Sequence, residues 1–224
     1  MSAIFLKNPI EVSNRLEDIG VTKEQLLEVV RSMQAAKNGC TDNDPPSAPG
    51  WSAWRDGTRR LREVLAPSGW VKDDTDMISS AFHKANGIRL LVCNTDSGTG
   101  LEESEPQNCS FKGSATDRAI NSNEVQILMT SILDQSLPDD VVPFDPAAND
   151  LVKIVHWYLC VYINGEAVRA ELSCPVKIAS GYFSAFHERI ILIGDQDGGG
   201  VPLRRKKPDD DADVEIPVTR KKAL

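Results

Sequence analysis

The sequence predicts an α+β protein with a mainly antiparallel sheet, and three observations support this class. Two runs rich in Val, Ile, Tyr and Trp flank Asn164-Gly165, the strongest short-range signal for a β-hairpin. Residues 88–94 and 188–194 are apolar without alternation, as expected of interior strands. Helix-forming patterns dominate the start of the chain. We therefore expect helices in the N-terminal third and a sheet organised around a central 151–178 hairpin.

The hairpin should turn at Asn164 and Gly165, because a type I′ turn needs positive φ at both central residues. That register pairs Ile163 with Glu166 and places apolar side chains on one face, the predicted core face. The opposite face is chemically mixed. Its candidate binding residues are His156, Tyr158, Tyr162, Arg169 and Glu171.

This mixed face has two interpretations. Aromatic rings beside an arginine are typical of platforms that stack on nucleobases. The alternative is that a helix covers the face, since Tyr, Arg and Glu are ordinary cross-strand residues. The uninterrupted apolar run Ile190–Ile193 favours cover, because a strand with no polar alternation needs protection on both sides.

Composition divides the chain into three predicted parts. Residues 1–39 form an N-terminal helical segment, and a linker with three prolines, residues 40–50, follows it. Residues 51–194 form the α+β domain. Residues 195–224 carry a glycine triplet and alternating basic and acidic runs, which predict a disordered charged tail.

Two helices are predicted before the sheet. Thr22 and Gln25 have the spacing of a capping box, so a helix should begin at Lys23. A second helix is expected over residues 51–66, with Trp51 and Trp54 on the side of its leucines. The stripe beside them consists of Arg55, Arg59 and Arg62. It is either a surface for phosphate or an acidic partner, or the solvated flank of a core-packing helix.

Charge and composition narrow the functional classes. A net charge of −8 argues against a protein that coats duplex DNA. A local basic patch is still compatible with this net charge. The histidines and five cysteines show no zinc-ligand spacing, so neither a metal nor another cofactor is predicted. No apolar run approaches membrane-spanning length and no secretory signal is evident, which predicts a cytoplasmic protein that makes no membrane contact.

One short motif suggests catalysis. Asp96-Ser97-Gly98 follows the apolar strand 88–94, and the apolar residues 191–193 precede Gly194. This local pattern resembles the aspartic proteases, in which an Asp-Ser/Thr-Gly triplet follows a strand and an apolar-apolar-Gly element packs behind it. The resemblance implies hydrolysis by Asp96, with a second carboxylate supplied by another chain.

The leading hypothesis from sequence is a non-enzymatic binding or accessory protein whose partner is a protein or a single-stranded nucleic acid. Its basis is the mixed sheet face, the charged tail and the scarcity of catalytic motifs. The alternative is a hydrolase of aspartic-protease type centred on Asp96.

Overall fold

The computed structural model describes residues 3–136 and 154–195. The helices are α1 (Pro9–Ile19), α2 (Lys23–Asn38), α3 (Ala48–Leu65) and α4 (Ser114–Ser136). The strands are β1 (Ile4–Leu6), β2 (Val71–Asp73), β3 (Ser80–His83), β4 (Ile88–Asn94), β5 (Val155–Asn164), β6 (Ala167–Ala179) and β7 (Tyr182–Ile193). The predicted tail, apart from Asp195, lies outside the described residues.

All seven strands form one sheet in the order β1-β7-β6-β5-β4-β3-β2. The expectation of a mainly antiparallel sheet was wrong, because β4 pairs with β5 in parallel and β1 pairs with β7 in parallel. Parallel neighbours need a crossover connection, and α4 lies in the segment that joins β4 to β5. The sheet is therefore mixed.

The expectation of helices confined to the N-terminal third was also wrong. The sequence of α4 reads as a short helix followed by a segment that fits either a helix or a strand, because it contains several β-branched residues. Tertiary packing overrides that propensity, and α4 lies against β5 and β6.

The central hairpin is confirmed, but its register is displaced. Asn164 pairs with Ala167 and Ile163 with Val168, so the turn consists of Gly165 and Glu166. Gly165 has φ +59° and is the first central residue, the position that a type II′ turn reserves for glycine. Each predicted partner is wrong by two residues. Because two is the side-chain period of a strand, the predicted faces are nevertheless correct.

The two faces of the sheet belong to two separate cores. On one face, side chains of β4–β7 pack with α1, α2 and α3; this core contains Trp157, Leu159, Val161, Leu26 and Leu61. The other core contains Tyr158, Cys160, Phe183 and Ile120 of α4. Helices therefore cover the sheet on both sides.

Three local sequence signals are confirmed. Thr22 and Gln25 form the reciprocal capping box at the start of α2. The strand predicted at residues 88–94 is β4. The strand predicted at residues 188–194 is the second half of the longer strand β7, Tyr182–Ile193.

A candidate binding groove at the carboxyl ends of the parallel strands

Most of the mixed hairpin face is not available to a partner. The exposed fractions of His156, Tyr158 and Glu171 are 3%, 2% and 0%. The alternative interpretation, cover by a helix, is correct for Tyr158 and His156, because α4 packs against β5 and β6. Glu171 is covered instead by the loop after β4.

Glu171 is held in a buried ion pair with Arg189, with an Nη2–Oε2 distance of 2.7 Å. Its carboxylate also accepts hydrogen bonds from the Ser173 hydroxyl at 2.6 Å and from the Gly100 backbone N–H at 2.7 Å. Arg189 donates further to the carbonyl of Leu101. This buried network fixes the loop after β4 onto the sheet, so the role of Glu171 is structural.

Tyr162 and Arg169 are half-buried, and the guanidinium carbon of Arg169 lies 4.9 Å from the centre of the Tyr162 ring. Arg169 donates to the Ser97 carbonyl at 2.6 Å and to the Asp195 carboxylate at 3.2 Å. The guanidinium is therefore engaged in joining the loop after β4 to the end of β7.

His156 is buried, and neither ring nitrogen has a hydrogen-bond partner among the described residues. Burial, together with the charge of Arg89, lowers its pKa to about 4, although Asp73 opposes the shift. The imidazole is therefore neutral at physiological pH. It lies in the sheet interior and cannot serve as a surface contact.

The arginine stripe of α3 divides into two parts. Arg55 and Arg59 are exposed, and each forms an ion pair with Asp56. Arg62 turns towards the sheet, where it donates to the Ser80 carbonyl and pairs with Asp74. The three arginines do not form one continuous surface.

Asp96 shapes the loop in which it lies. Its Oδ1 accepts backbone hydrogen bonds from Gly98 at 3.1 Å and from Gln107 at 3.0 Å. Such bonds are typical of aspartate in turns. The following Gly100, at φ +74°, lies so close to Ile193 that an added Cβ would be 2.8 Å from its carbonyl oxygen. The observed contacts of Asp96 therefore explain the loop and lend no support to hydrolysis.

A groove of about 770 Å³ opens at the carboxyl ends of β4 and β5. Open α/β sheets commonly bind ligands at this edge of parallel strands. Two hydrogen bonds shape the groove: the Asn94 side chain donates to the Gly50 carbonyl at 2.7 Å, and Lys37 donates to the Ile163 carbonyl at 2.5 Å. These bonds fix the first turn of α3 and the end of α2 beside the strand ends.

Two tryptophans line this groove and remain open to solvent. Trp51 is 55% exposed and Trp54 is 38% exposed. In contrast, Trp70 and Trp157 are each 3% exposed. Large exposed aromatic side chains beside a concavity are typical of binding sites. The core-packing interpretation of Trp51 and Trp54 was therefore wrong, because the buried apolar side chains of α3 are those of Ala53, Leu61 and Leu65.

The groove also has a positive rim. Lys37 and Lys112 line it, and neither forms an ion pair with a carboxylate of the described residues. The N-terminal end of α3, which carries the positive end of the helix dipole, lies at the same groove. In a chain of net charge −8, this is a local concentration of positive charge.

The exposed thiol of Cys109 lies in the groove. Partial burial of the thiol is the main cause that raises its pKa, and the charges of Cys93 and Asp96 add to the effect. The charges of Lys37 and Lys112 act in the opposite direction. The thiol is therefore protonated at neutral pH and is not an activated nucleophile.

A second groove, of about 500 Å³, lies between α1 and α2. It has no aromatic lining residue, and its charged side chains are Glu17, Lys23 and Glu24. It therefore lacks the aromatic side chains that distinguish the first groove.

Two other kinds of site concern the described ranges 3–136 and 154–195. In these ranges no three His, Cys, Asp or Glu side chains are grouped so that they could hold a metal ion. None of the helices there combines the length and apolar character needed to cross a bilayer.

Sequence reasoning did not find Lys37 and Lys112, since the groove is assembled from segments far apart in the chain. One usable signal was the pair Trp51 and Trp54 directly after a proline-rich linker, where a helix begins. Comparison of the chain with protein-family models, with curated proteins and with solved structures found no match.

Proposed function

We propose that this chain is a non-enzymatic binding protein and that the groove at the carboxyl ends of β4 and β5 binds a segment of a protein partner. The observation that carries the proposal is the pair of exposed tryptophans, Trp51 and Trp54, beside the ammonium groups of Lys37 and Lys112, which have no carboxylate partner among the described residues. Aromatic anchors next to a charged rim are typical of peptide-binding grooves.

A protein partner fits better than a single-stranded nucleic acid. Nucleobase stacking depended on the mixed hairpin face, and Tyr158 in that face is buried. The net charge of −8 also disfavours contact with a long phosphate backbone. A short acidic peptide needs only the local positive charge of the groove.

The test is selection of a random-peptide display library on the full-length chain. Enriched peptides should carry acidic and apolar residues. They should bind Trp51→Ala/Trp54→Ala at least about 30-fold more weakly, as expected when anchors worth about 2 kcal/mol are lost. The matched control is Ile10→Ala/Met77→Ala, which removes two exposed apolar side chains outside the groove.

Two results would contradict the proposal. One is enrichment of peptides that bind the tryptophan variant and the wild type equally. The other is tight, salt-sensitive binding of a poly-dT oligonucleotide that the same variant loses, which would assign the groove to nucleic acid.

A further inference from the structure

We infer that the groove is occupied by a segment of this same chain, residues 209–218 (DDDADVEIPV), called here the acidic segment. The inference rests on the proposed function, because it names a ligand for the same groove. Docking of the acidic segment would make the groove self-inhibited, so that an external peptide must displace it.

Charge is the first argument. The acidic segment carries five carboxylates, at Asp209, Asp210, Asp211, Asp213 and Glu215. In the groove, Lys37 and Lys112 have no carboxylate partner among the described residues. Most other cations around α3 already have partners; Arg55, Arg59 and Arg60 each form ion pairs. The groove is thus a place where added carboxylates would meet positive charge that no carboxylate of the described residues compensates.

The apolar pattern is the second argument. Val214, Ile216 and Val218 alternate with Glu215 and Pro217, so in an extended chain they share one side. The groove has an apolar wall formed by Trp51, Trp54, Val161 and Ile163. An extended segment can therefore place its aliphatic side chains on this wall and direct Glu215 towards the lysines.

The third argument is that the chain after Asp195 is long enough to bring the acidic segment to the groove. The Arg169 guanidinium donates to the carboxylate of Asp195, the last described residue, and to the Ser97 carbonyl. Thr95, two residues before Ser97, lines the groove. The 14 residue steps from Asp195 to Asp209 can span up to about 46–50 Å when extended. Because the segment is tethered, its effective concentration at the groove is on the order of millimolar, so weak contacts suffice.

The test uses the full chain and the indole N–H resonances of its four tryptophans. Glu215→Lys/Ile216→Ser, called the segment variant, should shift the Trp51 and Trp54 signals and leave Trp70 and Trp157 unchanged. A synthetic peptide of residues 207–220 should restore the wild-type positions when added to this variant. The matched control is Asp197→Lys/Val201→Ser, which makes the same types of change outside the acidic segment and should leave all four signals unchanged.

Affinity for a display-selected peptide separates this inference from the proposed function. The peptide should bind the segment variant about threefold or more tightly than the wild type, because no internal competitor remains. Equal affinity, with unchanged Trp51 and Trp54 signals, overturns self-occupancy while the groove remains a binding site. If no peptide binds the groove in the wild type or in the segment variant, both the proposed function and self-occupancy are overturned.

Discussion

At the scale of single residues, the fold depends on buried charge that is fully compensated. Glu171 and Arg189 are 0% and 3% exposed at their side chains, and the surrounding hydrogen bonds satisfy both groups. Removing one partner of such a pair leaves an isolated charge in a medium of low polarity. The sequence pattern placed Glu171 on a candidate binding face, and it cannot reveal that Arg189, from another strand, neutralises this carboxylate.

Glu171→Gln should therefore lower the free energy of unfolding by about 3–5 kcal/mol, because Arg189 would stay buried without a counter-charge. The measurement is urea denaturation at neutral pH. The control is Glu102→Gln, which breaks the exposed ion pair with Lys7 and should change stability by less than about 1 kcal/mol. Similar effects of both substitutions would contradict the account of a buried ion pair.

His156 gives the fold a pH dependence of predictable sign. Its pKa is about 4 in the folded chain and about 6.5 when unfolded, so protonation favours the unfolded state. Stability from the neutral ring is present above pH 6.5 and is lost as pH falls towards 4. The charged groups facing it are Arg89, which promotes the shift, and Asp73, which opposes it.

When the pH falls from 7.0 to 5.5, the free energy of unfolding of the wild type should decrease by about 1 kcal/mol more than that of His156→Leu. Urea denaturation of both proteins at the two pH values measures this difference, and both values lie above the sequence pI of about 5.0. Parallel pH profiles for the two proteins would show that His156 is not buried in its neutral form.

At the scale of elements, close packing of α3 depends on a residue without a side chain. A Cβ added at Gly57 would lie 2.5 Å from Met33 Cγ in α2 and 3.2 Å from Val92 in β4. This contact brings α3 near enough to the sheet for its first turn to border the groove. The cost of displacing Met33 should exceed the helix propensity that alanine gains over glycine.

Gly57→Ala should therefore destabilise the chain by about 1–2 kcal/mol. Gly113→Ala is the matched control, because an added Cβ there meets no atom within 4 Å. Thermal and urea denaturation of both variants provide the measurement. An increase in stability for Gly57→Ala would mean that α3 does not pack this closely.

Elements with strong local signals could be predicted from sequence, and those that depend on distant partners could not. The capping box of Thr22 and Gln25 and the apolar run of β4 are local, and both were confirmed. The turn around Gly165 was located correctly, but the choice between two turn types displaced the register. The parallel pairing of β4 and β5 depends on α4, whose mixed residue preferences concealed a crossover helix.

At the scale of the whole molecule, the groove is a product of assembly. Lys37 lies in the last turn of α2, Trp51 in the first turn of α3, Lys112 two residues before α4 and Ile163 next to the end of β5. No window of sequence contains this combination, so the sequence alone placed the candidate binding residues on the hairpin face and on the arginine stripe of Arg55, Arg59 and Arg62 instead. The covered sheet and the open groove together favour a protein that recognises a peptide segment at the sheet edge.

The most direct test of the central claim is a nuclear magnetic resonance titration of full-length protein with a display-selected acidic peptide. The account predicts shifts of the Trp51 and Trp54 indole N–H signals. It predicts no change at Trp70, whose indole N–H donates to the Gly20 carbonyl, or at the buried Trp157. Shifts at Trp70 or Trp157 with Trp51 and Trp54 unchanged would contradict the assignment of the groove as the binding site.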